Sequence, residues 1–292
     1  MAEEALSHAD FNNVKIAILA TSYNRKQITI AGLSALRDAA AGLDYHVYLV
    51  DDGSTDGTGE AVRERFPEAT VIQGDGSLFW NGGMRKAWQT ALEHPVDGQS
   101  ADFFLLFNDD LELVPNAMHQ LLIFHCEMAA RHGPKVISIG KILALESEDI
   151  TYGGFVHAPG LSRLRFLRAS DNGAGCDTMN GNCVLIPASA VCDVGLLSEH
   201  YRHHTGDIDY GLRARKAGYK LFQTSQAVGR TAFNYAAHAK LAQLTWSNRK
   251  FILTHPKGLP VGEWLHFCRA HGGWLWPVNF ITRYAKIIRW RS

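Results

Sequence analysis

The sequence predicts an α/β fold in which a mostly parallel central sheet is flanked by helices and followed by a C-terminal helical extension. Three observations support this prediction. Apolar runs rich in strand formers alternate with helix-like segments from Lys15 onward, which is typical of a parallel sheet. Several of these runs are followed by polar turns. After about residue 230 the chain becomes helical and richer in Trp, His and Arg, so we place a soft boundary there.

The individual elements follow from the spacing of apolar residues and from the turn signals between them. Strands are predicted at residues 15–21, 46–50, 70–73 and 102–107. Helices are predicted at residues 28–41, 58–65, 84–93, from Pro115 onward, and at 207–218. From Val136 to roughly Pro187 the pattern loosens into short β-like pieces with many glycines, which indicates an inserted region of mixed structure.

Composition restricts the class of protein before any motif does. The chain has 292 residues and is 46% hydrophobic, which is enough for a sizeable core. Its 29 basic and 29 acidic residues cancel, so no global field favours nucleic acid as a partner. The five cysteines show no CxxC spacing, which favours reduced thiols over a disulfide framework or a zinc site. The N-terminus lacks the features of a signal peptide, and no apolar run approaches the ~20 residues that span a bilayer. We therefore expect a cytoplasmic protein.

Polar turns follow three of the predicted strands. They are TSYNR at 21–25, DDGSTDG at 51–57 and NDD at 108–110. The carboxyl ends of parallel strands meet at one edge of a sheet, where ligands collect. Such an edge offers Asp52 to a base or ribose, Arg25 to a phosphate, and Asp110 to Mg²⁺ or Mn²⁺. Each turn alone is more typical of an ordinary loop or helix cap, but the combination favours a nucleotide site.

These motifs resemble those of a known enzyme family. The segments TSYNR, VDDGSTDGT, NDD and GDIDYGLRARKAGY are similar to motifs of the inverting glycosyltransferases of family two, which share the Rossmann-like GT-A fold. The resemblance covers roughly residues 14–228 and extends to bacterial surface-polysaccharide enzymes such as rhamnosyltransferases. It implies a GT-A catalytic domain at 1–230, with a nucleotide-binding half at about 14–112 and an acceptor half at about 113–230. Residues 231–292 would form the extension.

In that family the first loop and the Asp of the second bind the nucleotide. The resemblance therefore assigns the donor nucleotide to Thr21, Asn24, Arg25 and Asp52. The NDD turn stands in the place of a DxD-type motif. Its last residue, Asp110, resembles the ligand of Mg²⁺ or Mn²⁺ beneath the diphosphate, and Asp109 is a secondary candidate for the donor site.

The catalytic base of the family lies in a Glu-Asp pair ahead of an amphipathic helix. Here Gly206 replaces the Glu, and Asp207 resembles the base that takes the proton from an acceptor hydroxyl. Asp209 is assigned to the acceptor side. Taken without the resemblance, Asp207 is better interpreted as a helix cap and Asp209 as a first-turn acid that is favourable to the helix dipole.

Many relatives also carry a metal-binding His about two dozen residues after the base, whereas this chain reads VGRT at 228–231. His238 is the nearest replacement as a metal ligand, although a lone His is more often a packed or surface residue. Alternatively, Arg230 neutralises the diphosphate. His203 and His204 precede the base, and they either contact the acceptor or phosphate, with His204 assigned to the acceptor side, or are solvated loop residues.

The loop GDGSLFWNGGM at 74–84 places glycines around an aromatic pair. In the family this region lies beside the donor. The resemblance therefore assigns Asp75 to the nucleotide, Trp80 to stacking against a sugar, and Asn81 to the donor site. The alternative is that Phe79 and Trp80 anchor the loop in the core, and the residues themselves do not decide between the two.

The C-terminal tail is rich in Trp and in basic residues. Between Gly258 and Ser292, four Trp and five Lys or Arg accompany a single acid, Glu263. On a helix from about Pro277, apolar residues share a broad face opposite polar and basic ones. This pattern suits a helix lying in an anionic membrane interface, and the alternative is a helix packed on the catalytic domain. The apolar residues are Phe280, Ile281, Tyr284, Ile287 and Ile288.

Together these features predict a metal-dependent inverting glycosyltransferase, peripheral at the inner face of the cell membrane. It would move a hexosyl or 6-deoxyhexosyl group from a nucleoside-diphosphate sugar to a growing, lipid-linked glycan in bacterial surface polysaccharide synthesis, such as that of O-antigen. Two alternatives stay open. One is a sugar nucleotidyltransferase, for which TSYNRKQ is a poor phosphate loop. The other is a nucleotide-sugar or glycan-binding subunit with a decayed site, suggested by Gly206 and the missing His.

Overall fold

The computed structural model describes residue 11 and residues 13–170, 175–203, 205–232 and 245–289. Its strands are β1 (Lys15–Ser22), β2 (Asp44–Asp51), β3 (Thr70–Gln73), β4 (Phe103–Phe107), β5 (Glu112–Leu113), β6 (Val136–Ala144), β7 (Ile150–Tyr152), β8 (Gly154–His157), β9 (Phe166–Arg168), β10 (Gly175–Cys176), β11 (Thr178–Met179), β12 (Cys183–Pro187) and β13 (Lys220–Thr231). Its α-helices are α1 (Lys26–Ala39), α2 (Thr58–Arg65), α3 (Phe79–Glu93), α4 (Ala117–His132), α5 (Ser189–Val194), α6 (Gly206–Lys216), α7 (Trp246–Thr254), α8 (Val261–His271) and α9 (Trp276–Arg289).

The central sheet has the strand order β10-β13-β6-β12-β4-β1-β2-β3. β1 pairs in parallel with β2 and with β4, and β2 pairs in parallel with β3. β12 runs antiparallel to β4 and β6, whereas β13 runs parallel to β6. A separate small sheet has the order β11-β8-β9. The predicted α/β class is confirmed, and the parallel pairing is interrupted where β12 runs against its neighbours.

Helices cover both faces of the sheet, as the uninterrupted apolar character of β1 requires. The middle of β1 is buried on both sides, which is the usual state of a parallel strand between two helical layers. On one face Ile18 shares a core with Leu33 of α1. On the other face Leu19 shares a core with Trp88 of α3 and Tyr210 of α6. One of the two helical layers beside β1 thus contains α3 and α6, which also carry candidate site residues.

The helix α3 begins at Phe79, five residues before the predicted start at Met84. The glycines that predicted a flexible loop lie inside its first turns and permit close packing. A Cβ atom placed on Gly83 would lie 2.7 Å from the Cβ of Thr21 at the end of β1. Because only a glycine leaves that space, α3 approaches the strand end directly, and the loop before it is shorter than predicted.

The described part of the C-terminal extension is helical, as predicted. Its helix α8 packs on the rest of the chain through Phe267, which is buried in a cluster with Tyr201 and Leu212. Lys216 at the end of α6 also donates to the carbonyl of Ala270 at 3.0 Å. The extension is therefore in contact with the helix that carries the candidate base.

On helix α9, the apolar face that the sequence predicted to lie in a membrane interface is partly buried and partly exposed. Tyr284 is buried and its hydroxyl donates to the carbonyl of Leu259 at 3.0 Å. Ile281, on the same broad face of the helix, stays 62% exposed. Tyr284 thus faces the protein, as the packed-helix alternative expects, whereas Ile281 does not. None of the helices in the described ranges combines the length and apolar character that a membrane crossing requires.

Candidate active site

Arg25 joins the two carboxylates of the NDD turn. Its Nη1 donates to Oδ1 of Asp109 and its Nη2 to Oδ2 of Asp110, both at 2.8 Å. Asp109 is 1% exposed, and the Thr29 hydroxyl donates to its Oδ2 at 2.7 Å. Burial raises the pKa of the Asp109 carboxyl, although Arg25 and Thr29 favour its charged form. Burial also opposes the charged guanidinium, but the two carboxylates outweigh that effect and raise the pKa of Arg25. The residue predicted to meet a phosphate is therefore held by the acidic turn.

Asp110 has a carboxylate oxygen that the described residues leave without a partner. Its Oδ2 accepts from Arg25, but its Oδ1 is buried and accepts no hydrogen bond within the described ranges. An unpartnered buried carboxylate oxygen is costly, and it is the kind of ligand that Mg²⁺ or Mn²⁺ prefers. The described residues contain no group of three or more His, Cys, Asp and Glu that could hold a metal ion. Asp110 therefore offers a divalent metal one protein ligand, and a bound diphosphate would have to supply most of the others.

The first loop is fastened to the turn that follows β2. Asn24 adopts a positive φ of 51°, its amide donates to the Ser54 hydroxyl at 2.9 Å, and its Oδ1 accepts from the amide of Thr55 at 2.8 Å. Asp56 accepts from the amide of Lys26, the first residue of α1, at 3.0 Å. The predicted convergence of these two turns at one sheet edge is present, because each supplies hydrogen-bond partners to the other.

Asp52 anchors the glycine-rich loop. It is 3% exposed. Its Oδ1 accepts from the amides of Gly76 and Leu78 at 3.0 and 3.3 Å, and its Oδ2 accepts from the amide of Phe79 at 2.9 Å. Hydrogen bonds from amides to a carboxylate are among the stronger ones in proteins. The carboxylate predicted to bind a nucleotide thus shapes the loop between β3 and α3.

Trp80 connects the NDD turn to the surroundings of Asp207. Its Nε1 donates to Oδ1 of Asn108 at 2.7 Å. A Cβ atom placed on Gly181 would lie 2.7 Å from the indole of Trp80 and 3.2 Å from the Cβ of Asp207. The Gly181 amide donates to Oδ2 of Asp207 at 3.0 Å. The indole and the candidate base are therefore neighbours across a glycine, and the indole also contacts the acidic turn.

Gly206 stands where the family pattern has Glu, and Asn81 explains why. A Cβ atom placed on Gly206 would lie 2.6 Å from Cγ of Asn81 and closer still to its Oδ1. Asn81 is fully buried, and its Nδ2 donates to the carbonyls of Ser198 and Tyr201 at 2.8 and 2.6 Å. Asn81, which the resemblance assigned to the donor site, therefore directs its amide nitrogen at protein carbonyls and holds the segment ahead of α6.

Asp209 lies inside the protein, between α6 and α8. Its Oδ2 accepts from Nε of Arg213 and its Oδ1 from Nε2 of His271, both at 2.7 Å, and the Tyr201 hydroxyl lies 3.4 Å from Oδ1. Burial disfavours the charged carboxylate, but the hydrogen bonds from His271 and Arg213 outweigh it and keep the pKa of Asp209 below its usual range. The residue assigned to the acceptor side thus joins the C-terminal extension to the helix that begins at the candidate base.

Two side chains near the site are absent from the sequence predictions. Tyr152 at the end of β7 interacts electrostatically with Asp110 and Asp207, and burial, followed by the charge of Asp110, raises its pKa. Arg168 of β9 interacts with Tyr152, donates to the carbonyl of Thr151, and has a pKa that burial lowers. Both residues fall in the region of short strands, where weak periodicity gives no register for placing them. The glycine pair after Tyr152 is the only local signal.

The alternatives for the missing metal-site His have different outcomes. Arg230 donates to the carbonyls of Ala144 and Ser147 at 2.8 and 3.0 Å and forms an ion pair with Glu148. Its guanidinium is therefore engaged at the end of β6. His238 lies outside the described residues.

The remaining predicted residues lie around the glycine-rich loop. Asp75 is exposed, and its pKa is lowered by hydrogen bonds from the hydroxyl and amide of Ser77. Nδ1 of His203 accepts from the amide of Trp80 at 3.4 Å, which places His203 beside the start of α3. His204 lies outside the described residues.

Solved glycosyltransferase structures share this fold. The mannosyltransferase PcManGT from Pyrobaculum calidifontis, in complex with GDP-Man and Mn²⁺, is similar over 98% of this chain and 75% of its own, with a TM-score of 0.54 and 14% identity. S. aureus TarS 1–349 is similar over 95% of this chain and 76% of its own, with a TM-score of 0.53 and 14% identity. Likeness at this identity concerns the fold alone. That fold is GT-A, as the sequence motifs predicted.

Sequence comparison finds a family model and two named relatives that resemble this chain. Residues 17–142 match the family described as glycosyl transferase family 2. Two relatives from Mycobacterium tuberculosis, strains CDC 1551 / Oshkosh and ATCC 25618 / H37Rv, are each named N-acetylglucosaminyl-diphospho-decaprenol L-rhamnosyltransferase. Each is 25% identical over 235 residues, which cover 70% of this chain and 75% of the relative. These matches support a family 2 glycosyltransferase, the family that the motifs indicated.

Proposed function

We propose that this protein is an inverting enzyme that transfers a hexosyl or 6-deoxyhexosyl group from a nucleoside diphosphate to a hydroxyl of a lipid-linked bacterial glycan. The observation that carries the proposal is the series of contacts from Asn108 through Trp80 and Gly181 to Asp207, which connects the acidic turn to the candidate base. The names of the Mycobacterium tuberculosis relatives support a rhamnosyl donor and a diphospholipid-linked acceptor. In this proposal residues 1–230 form the catalytic domain and 231–292 an extension that works at the inner face of the membrane.

The donor would lie on the edge formed by the first two turns. Thr21, Asn24 and Arg25 line this edge in the proposal, with Trp80 towards the sugar and Asp75 at the exposed loop tip. Asp52, Asn81 and Asp109 act differently, because both carboxylates and the amide nitrogen of Asn81 already bond to protein groups. They are positioning residues that shape the loop, the segment before α6 and the Arg25 guanidinium.

Asp110 would hold Mg²⁺ or Mn²⁺, which would supply positive charge to the leaving diphosphate. The support is its unpartnered buried Oδ1 and the Mn²⁺ in the structure of PcManGT. For Oδ2 of Asp110 also to bind the metal, Nη2 of Arg25 has to leave that oxygen, while Nη1 of Arg25 can stay on Asp109. The guanidinium would then be free on one side to meet a phosphate oxygen.

Asp207 acts as the base in this proposal. Its carboxylate takes the proton from the acceptor hydroxyl while that oxygen forms a bond to the anomeric carbon of the sugar. The bond from the anomeric carbon to the diphosphate oxygen breaks in the same step, and its electron pair leaves with the nucleoside diphosphate. Attack from the side opposite the leaving group inverts the anomeric configuration. The Gly181 amide fixes the carboxylate for this task.

The test is Asp207→Asn, with the exposed Asp38→Asn on α1 as the matched control. Nucleoside diphosphate release is measured with a panel of nucleotide sugars, Mn²⁺ and a lipid-linked N-acetylglucosamine acceptor, and donor binding is measured by thermal shift. Asp207→Asn should lower turnover by about 10²- to 10⁴-fold and leave donor binding intact. Turnover retained in Asp207→Asn would exclude this base. A wild-type protein that binds donors but turns over none would favour the binding-subunit alternative.

A further inference from the structure

The structure exposes large apolar side chains where the loop between β8 and β9 meets the C-terminal helices. Leu161 is 80% exposed, Trp274 79%, Ile281 62% and Val278 53%. We propose that these four residues, called here the apolar surface, bind the surface of an anionic phospholipid bilayer. This inference deepens the proposed function, on which it rests for the lipid-linked acceptor.

The two segments that carry the apolar surface are in direct contact. The Ser162 hydroxyl donates to Oδ1 of Asn279 at 2.8 Å. A Cβ atom placed on Gly273 would lie 3.4 Å from Cδ of Arg163. Leu161 thus lies beside the helix that carries Val278 and Ile281, although more than one hundred residues separate them in sequence. The sequence pattern predicts the helix but not the loop, because the loop is short and shows no periodicity.

The outward side of α9 is distinct from its packed side. Val278 and Ile281 are three residues apart on the helix and both are exposed, so they form one exposed apolar strip. Tyr284 is buried with its hydroxyl on the Leu259 carbonyl, and Asn279 bonds to the loop. The helix is thus fixed through Tyr284 and Asn279, while Val278 and Ile281 stay more than half exposed.

The charged side chains in the two segments that carry the apolar surface are all basic. Residues 158–168 and 272–289 contain no Asp or Glu and several Arg. A cavity of about 370 Å³ next to Gly273 is lined by the cations Arg163, Arg215, Lys216 and Arg269, and no carboxylate is among its lining residues. Arg215 pairs with Asp177, whereas the other three have no carboxylate partner within the described ranges. Basic groups beside exposed apolar side chains complement anionic headgroups above acyl chains.

A bilayer explains these features together better than a protein partner does. Trp is favoured at the membrane interface, where its ring lies at the level of the headgroups, and Trp274 is the most exposed Trp of the described residues. The extension is also tied to the catalytic part by the contact between His271 and Asp209. Docking of the apolar surface would therefore set the height of α6, and with it Asp207, above the membrane that holds the acceptor lipid.

The test is sedimentation of the full chain with vesicles in the absence of donor and acceptor. Vesicles of phosphatidylcholine mixed with phosphatidylglycerol are compared with phosphatidylcholine alone. The variants are Trp274→Ser with Ile281→Ser, and Arg163→Gln with Arg269→Gln. Matched controls are Leu92→Ser with Val96→Ser, both exposed apolar residues elsewhere, and Arg65→Gln with Arg131→Gln, both exposed cations elsewhere.

The proposal predicts binding to the anionic vesicles that falls at least roughly tenfold in the apolar pair and about fivefold for each Arg removed. The control pairs should bind like wild type. Absence of vesicle binding, or equal losses in test and control pairs, would overturn the proposal. So would a stable dimer that Trp274→Ser dissociates, because a second copy would then occupy the surface. If the variant with Trp274→Ser and Ile281→Ser unfolds at a lower temperature than wild type, the vesicle binding of the variant with Arg163→Gln and Arg269→Gln decides the test. The assay contains no substrate, so its outcome is separate from that of the transfer assay.

Discussion

Nη2 of Arg25 lies 2.8 Å from Oδ2 of Asp110, so a fixed guanidinium stands against the carboxylate proposed to hold the metal. The same side chain reaches Asp109, which is almost fully buried. The cation therefore has two tasks, because it compensates a buried charge and also occupies one side of Asp110. Release of Asp110 costs less than release of Asp109, since only Asp110 is partly exposed.

The first prediction concerns metal affinity without donor. Arg25→Met combined with Asp109→Asn removes the guanidinium without leaving a buried charge unpaired. Because a positive charge close to the metal position is lost, Mn²⁺ should bind at least roughly tenfold more tightly, as measured by titration calorimetry. Asp109→Asn alone, which retains Arg25, is the control. Equal Mn²⁺ affinity in the two variants would mean that Arg25 does not compete with the metal.

The second prediction concerns the glycine at position 206. Gly206→Ala should destabilise the protein by about 1–3 kcal/mol, because the new methyl group overlaps Asn81 and displaces it from the carbonyls of Ser198 and Tyr201. Urea unfolding measures the change. Gly262→Ala in α8 is the control, since a Cβ atom there meets nothing within 4 Å. A neutral Gly206→Ala would contradict the packing described here.

The third prediction concerns the buried pair of His271 and Asp209. His271→Ala removes a hydrogen bond to a carboxylate that is 2% exposed, so we expect a loss of about 2–4 kcal/mol in the free energy of unfolding. The donor KM should change little, whereas kcat should fall because α6, which carries Asp207, is displaced. The exposed His94→Ala is the control. A large change in donor KM with unchanged stability would point instead to direct substrate contact by His271.

The fourth prediction is a pH dependence of stability that arises away from the site. His125 is buried beside Ser138, with its ring edge-on to Phe103, and burial lowers its pKa from 6.5 to about 4. The unfolded chain binds a proton at a higher pH than the folded one. The stabilisation by neutral His125 is therefore complete above pH 6.5 and is lost as the pH falls towards 4, by about 3 kcal/mol in total.

Urea unfolding at several pH values tests this dependence. His125→Gln should lose less stability between neutral and acid pH than wild type does, because Gln does not titrate. The exposed His94→Gln should keep the wild-type slope. A His125→Gln variant with an unchanged slope would assign the acid sensitivity to other groups.

The strands of the parallel half were predictable because each contains a short apolar run followed by turn residues. β3 and α2 agree with the predicted bounds, and β1 extends one residue further. The start of α3 was not predictable, since Gly82 and Gly83 usually end a helix and here lie within one. Their use depends on the approach of α3 to Thr21, a contact between distant parts of the chain.

The meeting of the polar turns at one edge followed from the parallel strand order, but the bonds among them did not. Whether Asp209 faces solvent depends on α8, more than fifty residues later, which supplies His271. Likewise Arg25 could be placed near a phosphate by its loop, but its pairing with Asp109 depends on the end of β4. Local patterns locate such residues, and only the assembled sheet decides what they contact.

The contact between α6 and α8 also affects how this chain can change during evolution. A recombination event near residue 230 would separate Asp209 and Arg213 from His271, and would leave a buried carboxylate facing an unmatched surface. The same break would uncover Tyr201 and Leu212, which Phe267 now covers. A chimera that joins α6 and the C-terminal extension from different relatives would therefore have to carry the whole contact or restore it by compensating substitutions.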